Sequence, residues 1–149
     1  MLTLLFSLHR RWLRIIRAVT LGSRAIVVQD ESVLLVRLTY YKGWFLPGGG
    51  VNRGETFEAA MARELKEECG ISPVSAQLQG LYLNQKGRHT DHVAVFVVRE
   101  FKGTPGIQDQ REIAEVRFFP INDLPETLWK GHRRRIHEML GREPMTPRW

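Results

Sequence analysis

Three glutamates define the chemistry open to this chain. Glu64 and Glu67 are three residues apart, and Glu64 and Glu68 four apart, so on a helix all three share one face. Met61, Leu65 and Cys69 form an apolar stripe at the same spacing. The carboxylates therefore sit beside a buried edge, not opposite it. Like charges so placed destabilise an isolated helix by roughly a few tenths of a kcal/mol per pair. A hard divalent cation, Mg²⁺ or Mn²⁺, removes that repulsion, because it takes oxygen ligands from carboxylates, carbonyls, waters and substrate phosphates. Arg63, four residues before Glu67, can brace it. Taken alone, the acids also fit an ordinary solvated helix face.

Positioning falls to the residues just upstream. Pro47 is followed by Gly48, Gly49 and Gly50, a glycine-rich turn whose backbone can adopt positive φ and approach a ligand closely. Gly54 and Glu55 lead into a helical pattern from Thr56 to Cys69, with Thr56 as N-cap and Gly70 as stop.

Length and composition bound the rest. A chain of 149 residues with 43% hydrophobic and 26% charged residues suits one domain with its own core. The one cysteine, Cys69, excludes an internal disulfide framework and reads as a small core hydrophobe. A reducing, cytoplasmic setting fits. The net charge of +6 favours anionic partners.

Residues 3–19 read as a basic amphipathic helix, with Leu5, Leu8, Trp12, Ile15, Ile16 and Val19 on one stripe and Arg10, Arg11, Arg14 and Arg17 on the other side. It lacks the layout of a signal peptide and is too short and too charged to span a bilayer. It can pack onto the domain or form a homodimer contact. It can also lie on an anionic membrane surface or guide an anionic substrate such as RNA. Residues 1–20 thus form an N-terminal helix, 21–141 the main domain and 142–149 a loose tail.

Ser23–Gln29 and Val33–Thr39 form a hairpin around Asp30-Glu31-Ser32. The loop Tyr40-Tyr41-Lys42-Gly43-Trp44 follows. Trp44 and Phe45 read as structural, whereas Tyr40 and Tyr41 either stack on a base or cover the core edge. Arg37 on the preceding strand can reach a phosphate or point to solvent. Beyond the glutamate helix come a strand over Val74–Gln85, interrupted near Gly80, and a polar loop from Lys86 to Asp91. Strands over His92–Phe101 and Glu112–Pro120 follow, then a basic helix over Thr127–Leu140 in which His132 and His137 read as solvated. One helix between strand groups and one after them predicts a mixed sheet between helices.

The stretch from Gly49 to Ile71 resembles the signature of the Nudix hydrolases: Gly49, five residues, Glu55, seven residues, then Arg63-Glu64-Leu65-Lys66-Glu67-Glu68-Cys69-Gly70-Ile71. So many positions at set spacings make the match specific. The resemblance implies an α/β/α sandwich and metal-dependent hydrolysis of a phosphoanhydride in a nucleoside diphosphate linked to another group. It implies Glu67 and Glu68 as the main metal ligands and Glu64 as a further ligand or general base. A backbone carbonyl of Gly48 or Gly49 would add a ligand, Arg63 would orient the glutamates, and Glu55 would support them. Family members often add an acid from a later loop; Glu112 is the candidate, with Asp109 and Glu115 as rivals. In the family, a downstream proline accompanies ADP-ribose activity and a tyrosine dinucleoside polyphosphate activity; Gln85–Asp91 contains neither. Tyr82, Asn84, Lys86 and Arg88 are candidate substrate contacts. Pyrophosphohydrolysis of RNA 5′ ends, suggested by the basic termini, and non-catalytic nucleotide sensing are the alternatives.

Overall fold

The computed structural model describes residues 19–87 and 89–149, the Lys86 side chain apart. The expected N-terminal helix lies outside the described residues up to position 18. Its last expected residue, Val19, instead opens a strand.

That strand, β1 (Val19–Gln29), is central. It pairs in parallel with β6 (His89–Lys102) along Val19–Val27, and its end pairs antiparallel with β2 (Ser32–Leu38). The two-residue turn between β1 and β2 holds Asp30 and Glu31 at φ of 47° and 55°, the positive values that two-residue hairpins require. Beyond β2 lie β3 (Trp44–Phe45) and β7 (Ile113–Pro120); beyond β6 lies β5 (Ser72–Lys86). The mixed sheet is the one expected.

Both faces of this sheet are buried, which is why its strands are apolar at successive positions. Ala25, Val27, Leu34, Val36, Ala94 and Phe96 face one way and pack on Met61, Leu65 and Cys69 of α1 (Phe57–Cys69). Ile26, Val28, Val33, Leu35, Val93 and Val95 face the other way and pack near Ile136 of α2 (Lys130–Met139). The result is an α/β/α sandwich.

Three expectations are corrected and a fourth, the interruption near Gly80, holds. Gly48–Gly50 is a short strand, β4, paired antiparallel with Gly22–Arg24, so it extends the sheet instead of turning. The polar loop over Lys86–Asp91 is mostly strand, because β5 and β6 run on as one long hairpin. The interruption of β5 is real: its register shifts between Leu78 and Gly80, and twice before. The tail is anchored, not loose. Leu83 donates its N–H to the Pro147 carbonyl at 2.8 Å, and Trp149 donates to the Leu83 carbonyl at 3.0 Å. Among the described residues, no helix is long and apolar enough to cross a membrane.

Candidate active site

Helix α1 is set by its ends. The Thr56 hydroxyl accepts from the Ala59 N–H, and Gly70 closes the last turn in the left-handed conformation. This fixes which face meets β4, and that face carries the acids.

Arg63 is the hub. Its Nε and Nη2 donate to the two Glu55 oxygens at 2.9 and 3.0 Å, and Nη2 also donates to the Gly50 carbonyl at 2.9 Å. Nη1 donates to Glu64 at 2.6 Å and to Glu67 at 3.3 Å. One planar guanidinium thus ties three acids and β4 together, a geometry that lysine cannot reproduce. The Arg63 bond holds the Glu55 carboxyl below its ordinary range, and Glu55 in turn raises the already high Arg63 pKa. A Cβ at Gly49 would stand 2.5 Å from Glu64 Oε1, so this glycine is required for close approach of the acid and not for a turn.

Glu68 is the buried member of the set. Its Oε2 accepts from the Gly48 N–H at 2.8 Å. Burial pushes its carboxyl up to about 8; the charge of Arg24 and the Gly48 bond oppose this, while Glu64 and Glu112 reinforce it. Burial likewise raises Glu64, against its Arg63 bond. Glu67 is the outermost acid, with 60% of its side chain exposed.

Glu112 shares this electrostatic neighbourhood. The Tyr40 hydroxyl donates to its Oε1 at 3.1 Å, and burial followed by the Glu112 charge raises the Tyr40 pKa. The rivals are engaged elsewhere: Asp109 with Arg111, and Glu115 with Arg37 and Arg117. Arg37 is therefore spent on Glu115 and does not reach the site. Lys86's side chain and Arg88 lie outside the described residues.

A cleft of about 410 Å³ adjoins the glycines on the α2 face of the sheet. Its floor is formed by Gly22 and Arg24, its rim by Gly49 and Gly50, and its walls include Tyr40, Tyr41, Trp129 and Trp149. Ring contacts join these walls: Tyr41 meets Trp129 edge-on at 6.3 Å, and Trp149 meets His132 edge-on at 5.0 Å. Asn84 also lines the cleft, whereas the Tyr82 ring is buried beneath the tail.

Several of these residues escaped the sequence reading. Arg24 donates to the Leu46 carbonyl at 3.3 Å and to the Gly48 carbonyl, beneath the acids. Its signal was a single cation inside an apolar strand. His132, expected in solvent, is buried, and its Nδ1 accepts from the Leu46 N–H at 3.2 Å. The segment between β3 and β4, 86 residues away in the chain, is what meets it.

Among the described residues, no three His, Cys, Asp or Glu side chains are gathered closely enough to hold a metal ion; the Arg63 fork and the Gly48 N–H hold the acids instead. The donor set nevertheless fits a hard cation. It consists of oxygens, and the charges of Glu64 and Glu112 add to the cost of ionising the buried Glu68.

Residues 20–139 match the model of the NUDIX domain. The ADP-ribose pyrophosphatase of Methanocaldococcus jannaschii is 38% identical over 106 residues, 68% of this chain and 62% of that one. Diphosphoinositol polyphosphate phosphohydrolase 2 of Rattus norvegicus is 40% identical over 73 residues, 48% of this chain and 41% of that one. The chain thus spans less than two thirds of the length of these curated relatives. The crystal structure of the MutT NUDIX hydrolase from Burkholderia pseudomallei superimposes with a TM-score of 0.75 at 27% identity, covering 80% of this chain and 97% of that one.

Proposed function

This chain belongs to the NUDIX family, and on that premise we propose that it hydrolyses a phosphoanhydride bond in a nucleoside diphosphate linked to a second group, with Mg²⁺ or Mn²⁺ as cofactor. The observation that carries this reading is the junction at Gly49 and Gly50, where the acid set of α1 meets a cleft walled by aromatic rings.

Each residue has a task in this reaction. Glu67 and Glu68 would hold the cation, with Glu64 as a further ligand or the base. A carbonyl of the Gly48–Gly49 stretch would add a donor; that of Gly48 accepts from Arg24 in this structure. When bound, the ion neutralises phosphate charge and makes water a better nucleophile. Arg63 keeps the acids from turning away, with Glu55 bracing its guanidinium. Arg24 offsets the charge that the buried acids bring. Glu112, which accepts from the Tyr40 hydroxyl, would be a further ligand to the ion. Tyr41 and Trp129 offer flat surfaces on which a base can stack, about 1–3 kcal/mol per base in stacking sites of this kind. Arg37 has no part in this scheme.

Action on RNA, suggested by the basic termini, is the second reading. Two of the α2 cations behind it are engaged within the fold: Arg135 is fully buried against Glu138, and Arg134 lies beside Glu138 and Glu143. The test is a panel of nucleotide sugars, dinucleotides, nucleoside triphosphates, ADP-ribose and triphosphate-ended RNA, with Mg²⁺ or Mn²⁺ and product identification. Release of a nucleoside monophosphate from at least one small substrate is expected. Turnover confined to RNA would reject the small-molecule reading.

A further inference from the structure

Three polar residues lie side by side across the floor of the cleft. Thr20 of β1 stands opposite Asp91 of β6 in the parallel register, and Asp91 opposite Asn84 of β5 in the antiparallel one. All three line the cleft. The Thr20 hydroxyl donates to Asp91 Oδ1 at 2.9 Å and lies 3.1 Å from His89 Nε2. Asp91 Oδ2 and the Asn84 amide make no hydrogen bond among the described residues.

A carboxylate in this place is out of keeping with phosphate binding. It repels phosphate oxygens, and it accepts hydrogen bonds without donating any. It is carried on β6, not on α1, and its Oδ1 lies beside Gly22 in the cleft. What it suits is a neutral group rich in donors. Thr20 takes one lone pair of Oδ1 and leaves the other, with Oδ2, for the ligand, while the neighbouring Asn84 amide adds both donor and acceptor capacity. A half-buried polar group left unmatched by a ligand costs binding energy, so such a row discriminates strongly between ligands.

We propose that Asp91, oriented by Thr20 and flanked by Asn84, is a specificity-determining residue that takes two donors on adjacent atoms of the nucleoside portion of the substrate. The inference rests on the nucleotide reading of the site. Two parts of a nucleoside carry such a pair: the N1–H and 2-amino group of guanine, and the 2′,3′-diol of ribose. Adenine sets its amino group beside an acceptor, and uracil sets one donor between two acceptors; their base edges do not match.

The experiment compares the affinities of GMP, IMP and 2′-deoxy-GMP for the full chain by titration calorimetry, with divalent ions chelated so that nothing turns over. IMP lacks the 2-amino group, and 2′-deoxy-GMP lacks one hydroxyl of the diol. We expect one omission to weaken binding by about tenfold or more, which identifies the donor pair. Asp91→Asn is expected to erase that difference, and Thr20→Val to reduce it. Equal wild-type affinity for all three nucleotides overturns the inference whether or not the variants fold. So does an Asp91→Asn protein that keeps the wild-type ranking. Turnover without the ranking defeats this inference and leaves the hydrolase reading; the ranking without turnover does the reverse.

Discussion

Glu68 is where burial and charge conflict most. Its neutral form is favoured in the metal-free fold, since burial pushes its carboxyl up to about 8. The sign follows from proton linkage: the folded state binds this proton more tightly than the unfolded chain does. The stabilisation is therefore complete below the ordinary carboxyl range and lost as pH rises through about 8. Metal-free protein should melt progressively lower between about pH 5 and pH 8, and Glu68→Gln should flatten that slope. Differential scanning calorimetry across this range checks it; an unchanged slope in the variant would assign the titration to another group. Saturating Mg²⁺ should restore stability at the upper end, because a ligand bound to the fold alone stabilises it. Arg63→Lys tests the hub. It keeps the charge but loses the fork that spans Glu55, Glu64, Glu67 and Gly50. Turnover should fall by about tenfold or more with the fold retained; circular dichroism beside the kinetics separates the two effects.

Helix α1 illustrates how much was legible at the level of elements. Its cap, stop, apolar stripe and acid face were all local signals, and Thr56, Gly70, Leu65 and Glu68 sit where those signals put them. Thr56→Ala should cost about 1 kcal/mol by freeing the Ala59 N–H, read as a lower denaturant midpoint with an unchanged slope. Gly48–Gly50 shows the opposite case. Three glycines signal a turn by composition, yet they form β4 because Gly48 lies against the Ser23 backbone and Gly49 against Glu64. A side chain at either place would push on another element, and no local pattern announces that. Arg37 is a similar case: its partner Glu115 comes from β7, 78 residues away.

At the scale of the whole molecule, the tail and α2 are one unit. Arg135 and Glu138 are buried together, and Arg135 Nη1 donates to the Arg148 carbonyl at 3.0 Å. The sequence shows a basic helix and a polar tail; only the tertiary arrangement makes one cover the other and brings Trp149 to the cleft wall. Glu138→Ala should destabilise by about 3–5 kcal/mol, since it leaves a buried guanidinium without its counter-charge; a loss below about 1 kcal/mol in chemical denaturation would show that Arg135 reaches water instead. The account as a whole rests on the acid face of α1 holding a divalent ion for hydrolysis. Electron paramagnetic resonance of Mn²⁺ titrated into the wild type and into a Glu67→Gln, Glu68→Gln protein, with turnover followed in the same samples, tests this most directly. Tight Mn²⁺ binding and turnover in the wild type, both lost together in the variant, is the predicted result. Equal Mn²⁺ uptake and turnover within a few-fold in the two proteins would contradict it.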